Sequence, residues 1–233
     1  MFLGGGGLTY FSRLFFCVSS LVLCHGFATA ANIEQSVAFI ESSTDYVEIK
    51  PDHQLQTDLR YATTNNFVGE NLYGDFNRAY LHRLAAKKLI AAKSILKASY
   101  PEYKLVIFDA MRPRSVQYQL WDKVKGTDKQ GYVANPAGGS IHNYGFAVDI
   151  SLADAQGNLL DMGTKFDDFT ALAQPRQEAK FIKSGLLSEA QLANRKILRS
   201  VMEKAGFIQL SVEWWHFDAL PKKVVKSTYQ IIE

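Results

Sequence analysis

Residues 140–152 read SIHNYGFAVDISL, and the fold turns on how that stretch is divided. From Phe146 to Leu152 the residues are strand-forming and apolar, apart from one acid and one hydroxyl, as in a strand buried on both faces. Asp149 sits in the middle of it. A carboxylate there is costly to bury unless it is paired or bound to a metal. Gly145 precedes the strand and permits a sharp bend, so His142, seven positions before Asp149, can return to the same point. An ion pair between Asp149 and Arg112 or Arg114 is the competing explanation for the buried acid.

Working outward, Lys104–Phe108 (KLVIF) is a second short buried strand, and Phe207–Phe217 carries strand-type residues. Apolar residues at helical spacing predict a long helix over Asn77–Ser99, ended by Tyr100-Pro101, and another over Ser188–Ala205. Ser188 is its expected N-cap, and Gly206 follows its end. Arg114–Lys123 reads as a helix after the Arg112-Pro113 turn, and Gly131–Gly139 as a loop rich in Gly, Pro and Asn. Helices and strands alternate without βαβ spacing. The expected class is therefore α+β, a single domain with a mostly antiparallel sheet flanked by helices.

Composition narrows the function classes. The chain has 233 residues, 47% hydrophobic and 21% charged, with a formal net charge of +3 from interspersed signs. No basic stripe points to nucleic acid or to a membrane surface. Residues 1–30 differ from the rest, with Arg13 their only charged side chain and an apolar run of ten residues from Leu14 to Leu23. That run is short for a membrane span but fits a signal-peptide h-region, with Ala28-Thr29-Ala30 as a small-x-small cleavage site. The expected organisation is a signal peptide over 1–30, a domain over 31–233, export to the periplasm, and no stable span after cleavage. An uncut anchor, or a lipoprotein attached through Cys24, are the alternatives. Both cysteines, Cys17 and Cys24, fall in the leader, so the domain has no disulfide, thiolate ligand or cysteine nucleophile.

Beyond the leader only His53, His82, His142 and His216 remain as imidazoles. His142 shares its segment with Asp149, and His216 lies in EWWHFD (Glu213–Asp218). Taken singly, either histidine would be an ordinary packed, hydrogen-bonded residue. Together, His142, Asp149 and His216 supply the three ligands of a catalytic zinc site, and Glu213 is left free as a general base. Residues three apart face opposite sides of a regular strand, so Glu213 and His216 share one site only if the strand is irregular around Trp214-Trp215. Ser-His-Asp catalysis is the rival chemistry; Ser140 and His142 are too close in sequence to favour it, and no G-x-S-x-G elbow is present.

The pattern S-x-H-x-x-G-x-A-x-D at Ser140, His142, Gly145, Ala147 and Asp149, with E-x-W-H at Glu213, Trp215 and His216, resembles the D-alanyl-D-alanine dipeptidases of the VanX type. These belong to a zinc D,D-peptidase superfamily that includes the Hedgehog amino-terminal domain. Asp58–Gly69, Asp109–Pro113, Met162–Asp167 and Asn194–Phe207 are similar to the dipeptidase branch in particular. The resemblance implies a Hedgehog/D,D-peptidase-like fold and one zinc per chain on His142, Asp149 and His216. It also implies Glu213 as catalytic base and Arg112 as the cation that stabilises the tetrahedral intermediate. Ser140 and Asp167 are candidates for holding the amino end of a D-Ala-D-Ala substrate; each has a plain alternative, a turn cap for Ser140 and a solvated acid for Asp167. A D,D-carboxypeptidase with a more open cleft, and a zinc-binding module without catalysis, are the alternative functions.

Overall fold

The computed structural model describes Met1 and residues 32–233; the leader expected over 1–30 lies, apart from Met1, outside the described residues. Residues 32–42 form helix α1. Then come β1 (Tyr46–Glu48), β2 (Leu55–Thr57), β3 (Tyr80–His82), α2 (Arg83–Ser99), β4 (Lys104–Asp109) and α3 (Arg114–Val124). The second half holds β5 (Ala147–Ala153), α4 (Glu178–Lys183), α5 (Glu189–Lys204), β6 (Ile208–Gln209), β7 (His216–Asp218) and α6 (Lys222–Thr228). Five strands form one sheet in the order β2-β4-β5-β7-β6, and β1 pairs with β3 in a separate ribbon. Only β2 with β4 is parallel; the other pairs in the sheet are antiparallel, as the α+β class requires. Among the described residues no helix is long and apolar enough to cross a membrane.

Strand β5 is central, and all seven of its residues are buried. Its outward neighbours β4 and β7 are the strands that carry the other site residues. α2 and α5 join β4 and β5 in the main apolar core, where Leu89, Leu96, Leu105, Ile107, Val148, Ile150, Leu152 and Leu198 are essentially inaccessible. A second apolar cluster, around Tyr61, Leu72, Tyr73, Phe76, Val116 and Leu120, packs α3 and the segment before β3.

Two boundaries differ from the sequence expectation. Helix α2 begins at Arg83, not Asn77, because Tyr80–His82 pairs with β1 and the His82 ring nitrogen accepts the Leu84 amide at 3.2 Å, capping the helix there. Helical spacing is no guard against a strand partner elsewhere in the chain. The expected strand over Phe207–Phe217 is two short strands, β6 and β7, with bends at Trp214 and Trp215 between them. α5 follows expectation closely: Ser188 and Gln191 close a capping box, and Gly206 takes φ +89° after its end.

Gly145 does what its position predicts. It has φ +72°, and a Cβ built on it would lie 2.9 Å from the His82 nitrogen and 3.0 Å from the Tyr46 ring. Its carbonyl accepts the His82 amide at 2.9 Å, which ties the bend to the β1–β3 ribbon. We expect Gly145→Ala to lose about 1–3 kcal/mol, from left-handed backbone strain and the forced retreat of the ribbon. Urea unfolding of the two proteins side by side measures this, and a difference below about 0.5 kcal/mol would mean that the ribbon gives way freely.

Candidate active site

The site is built from strand register. Asp149 on β5 lies directly opposite His216 on β7. On the other side of β5, a bulge between Ile107 and Asp109 brings Asp109 opposite the same Asp149. Three neighbouring strands thus carry Asp109, Asp149 and His216 in one row. His142 reaches the row from a one-turn 3-10 helix, Ile141–Tyr144, which ends at Gly145. Ser140 caps that turn: its hydroxyl accepts the His142 amide, while Asn143 returns a bond to the Ser140 amide at 2.7 Å. Ser140 also lines the cavity above the row.

The three expected ligands converge. His142 Nε2 lies 3.1 Å from His216 Nδ1 and 3.3 Å from Asp149 Oδ1, and His216 Nδ1 is 3.0 Å from the same oxygen. Tetrahedral ligands at zinc–nitrogen and zinc–oxygen lengths of about 2.1 Å are separated by about 3.4 Å, within a few tenths of an ångström of these spacings, so the donor set fits such an ion. All three residues are buried, and they are the group of imidazole and carboxylate donors that could hold a metal. The His142 Nδ1–H donates to the Ala110 carbonyl at 2.6 Å; a carbonyl carries no proton, so Nε2 is the nitrogen with the free lone pair.

Charge is balanced locally. Burial pushes the Asp149 carboxyl upward, but His142 and His216 outweigh it and hold the group well below the usual carboxylate range. Burial works against a charged His216, yet Asp218 and Asp149 more than offset it and raise its pKa well above the ordinary value. Glu213 stands apart from the ligand trio, its Oε2 4.0 Å from His216 Nδ1, and burial raises its carboxyl to about 7 against the pull of His216. The bends at Trp214 and Trp215 supply the irregularity that lets Glu213 and His216 share one cavity.

Arg112 is buried and tightly oriented. Its Nε and Nη2 donate to Asp109 Oδ2 at 2.9 and 2.6 Å, and Nη1 donates to Gln117 Oε1 at 2.8 Å. The Asp149 carboxylate is 3.7 Å from Nη2, an electrostatic neighbour rather than a hydrogen-bond acceptor. The expected alternative, an ion pair that consumes Asp149, is therefore only a secondary contact. Tyr73 donates its hydroxyl to the second Asp109 oxygen at 2.5 Å, and the guanidinium lies over the Tyr61 ring at 4.8 Å. Three of the five guanidinium N–H groups are thus assigned, leaving donors on Nη1 and Nη2. Arg114, by contrast, pairs with Glu233 at the surface.

Asp167 enters the same cavity. It holds φ +59°, the one left-handed residue among the described non-glycines, and its two oxygens each receive the Tyr61 hydroxyl at 3.1 Å. Burial, reinforced by Asp149, raises its carboxyl well above the ordinary range. Phe166 beside it wedges between Tyr61, Phe108 and Trp215, and buried Arg195 holds the flanking segment by donating to the Met162 and Leu172 carbonyls at 2.7 and 3.0 Å. The cavity measures about 250 Å³, and Tyr132, Val133 and Val212 also line it.

Sequence reasoning assigned no role to Asp109, Tyr61, Tyr73, Gln117 or Asp218. Two of them carried a signal: Asp109, three residues before Arg112, and Asp218, two residues after His216, each in a segment already singled out. His82 and His53 take no part: His82 caps α2, and His53 is exposed.

The chain is similar to known proteins along most of its length. The peptidase M15 family model, described as D-ala-D-ala dipeptidase, matches residues 41–232. A D-alanyl-D-alanine dipeptidase of Escherichia coli K12 is 37% identical over 174 residues, covering 75% of this chain and 82% of that protein. One of Enterococcus faecium is 32% identical over 187 residues, covering 71% of this chain and 86% of its own length.

The ligand set makes a direct expectation. Purified protein should carry about one tightly bound divalent metal per chain, as a three-ligand site does, and His216→Ala should lose most of it. Elemental analysis of both proteins decides, and undiminished metal in the variant would remove His216 from the set.

Proposed function

The chain belongs to the peptidase M15 family of D-Ala-D-Ala dipeptidases, and from that premise we propose that it is a zinc hydrolase that splits D-alanyl-D-alanine into two D-alanines. The observation that carries this reading is one buried cavity holding a His-Asp-His donor trio, a free acid and an oriented arginine together. Imidazole and carboxylate donors in a site without thiolates suit zinc. Zinc bound there supplies Lewis-acid polarisation of the scissile carbonyl and a more acidic water.

The chain's own residues divide the remaining work. Glu213 takes a proton from the attacking water and delivers it to the leaving amine. Its carboxyl, raised to about 7 by burial, is suited to both halves of that transfer near neutral pH. Arg112 faces the oxyanion with the N–H donors that Asp109 and Gln117 leave over. Because those partners already fix the guanidinium, no reorganisation is needed as negative charge develops. No covalent intermediate is required.

Substrate size follows from volume and charge. A cavity of about 250 Å³ falls below the range of roughly 300–1,000 Å³ typical of drug-sized ligands. Asp167, with Ser140 at the cavity wall, would hold the free ammonium of a dipeptide. A blocked or longer peptide would leave Asp167 facing a neutral group. The D,D-carboxypeptidase alternative needs a more open cleft. The leader read at residues 1–30 supports a periplasmic setting, where the enzyme would recover D-alanine from cell-wall peptide turnover.

Two measurements test this reading. Glu213→Gln should keep its metal while kcat falls at least ~100-fold, the lower end for losing a general base. Loss of metal and activity together would make Glu213 a ligand instead. Separately, kcat/KM for D-Ala-D-Ala should exceed that for N-acetyl-D-Ala-D-Ala by roughly 10⁴-fold, as a site with an unmet polar partner rejects an analogue. Asp167→Asn should raise KM for the free dipeptide with metal content intact. Equal values for the free and acetylated substrates would replace the dipeptidase with the carboxypeptidase.

A further inference from the structure

The two histidines present opposite nitrogens to the ligand cluster. His142 points Nε2 inward and anchors Nδ1 on a backbone carbonyl. His216 points Nδ1 inward, and its Nε2 lies 2.9 Å from Asp218 Oδ1. Asp218 is two residues further along β7, so strand alternation puts its side chain on the same face as His216. Its backbone is fixed from both sides, paired with Ala147 of β5 and Ile208 of β6. Neither residue has much freedom: the His216 and Asp218 side chains are 10% and 16% exposed.

We propose that Asp218 is a positioning residue for the metal, holding the proton on His216 Nε2 and so dedicating Nδ1 to the ion. This rests on the metal reading given above. A carboxylate cannot donate, so the Nε2–H must donate to it, and that fixes which tautomer of a neutral imidazole is present. The same bond fixes ring orientation. A half-turn about the Cβ–Cγ bond would replace Nδ1 by a ring carbon and carry Nε2 away from Asp218. The carboxylate also makes the imidazole a stronger electron donor. Outer partners of this kind are typically worth 10–100-fold in metal affinity. His142 obtains the same service from the Ala110 carbonyl, which no side-chain substitution can remove. The strand ligand therefore depends on a side chain where the turn ligand depends on the main chain.

The test compares wild type, Asp218→Asn and Asp218→Ala, each stripped of metal and titrated with zinc against a competing chelator. Asparagine keeps the size and an acceptor oxygen but not the charge, so zinc Kd should rise roughly 10-fold; alanine removes the acceptor, and Kd should rise towards 100-fold. The metal-free Tm of the asparagine variant should stay within about 2 °C of wild type. Wild-type zinc affinity in both variants would overturn the proposal. So would a raised KM for dipeptide at unchanged zinc Kd, which would assign Asp218 to the substrate. Should alanine fail to fold, the asparagine variant decides alone. A wild-type protein that takes up no zinc would instead remove the metal reading itself, a distinct outcome.

Discussion

Two carboxylates buried side by side are the constraint around which this site is organised. Asp109 and Asp149 face one another on adjacent central strands, with essentially no solvent on Asp109 and little on Asp149. Cross-strand partners lie about 5 Å apart. At an effective dielectric of 20, two like charges at that distance repel by about 3 kcal/mol, before any cost of dehydrating them. The fold answers with polar partners from both sides. Arg112 and the Tyr73 hydroxyl saturate Asp109, and His142 and His216 crowd Asp149. Arg112 also approaches Asp149, so one guanidinium compensates both acids. Its position at the cavity wall is thus a consequence of compensating the buried acids, and the catalytic role proposed for it would draw on that immobility.

The geometry that makes this work is mostly backbone geometry. The bulge in β4 decides that Asp109, and not its neighbour, stands opposite Asp149. The β5–β7 register decides that Asp149 meets His216. Left-handed Gly145 turns the chain from the His142 turn into β5, and the close approach of the β1–β3 ribbon leaves no room there for a side chain. The loop from Met162 to Phe169 is held differently, by Arg195 on carbonyls and by Phe166 in an aromatic cluster. That support sustains the left-handed backbone of Asp167, a conformation that costs about 1–2 kcal/mol in a non-glycine residue.

How far this was legible in the sequence depends on how local each signal is. The Ser188 cap, the Lys104–Phe108 strand and the bend at Gly145 are written in adjacent residues, and the structure has them where expected. An acid inside an apolar run marks Asp149 without any knowledge of its partners. The start of α2 was misplaced because the strand that claims Tyr80–His82 lies more than thirty residues away, at Tyr46–Glu48. Tyr61 and Tyr73 were silent for the same reason: a tyrosine that hydrogen-bonds a carboxylate looks, in sequence, like any aromatic core residue. Gln117 was silent as well: it is a polar residue on the buried face of α3 with Leu120 and Val124, its amide accepting from Arg112 and donating to the Ala134 carbonyl. Asp218 carried the clearest missed signal, an acid two places after a histidine on a strand.

The distribution of charge in the cavity also explains why a small zwitterion suits it. Asp149, Asp167 and Glu213 converge on one space with Arg112, and Asp218 stands behind His216. Burial first, and the neighbouring Asp149 after it, raise the carboxyls of Asp167 and Glu213. On the proposed reading, a divalent ion at the trio and a free ammonium beside Asp167 would each answer part of that charge. Tyr61 contacts Asp167 and Arg112 alike, donating its hydroxyl to Asp167 while its ring lies under the Arg112 guanidinium. If Asp167 holds the amino end and Arg112 the oxyanion, as proposed, the two roles would be coupled through one buried aromatic ring, and a substrate lacking the ammonium would leave Asp167 without its neutralising partner.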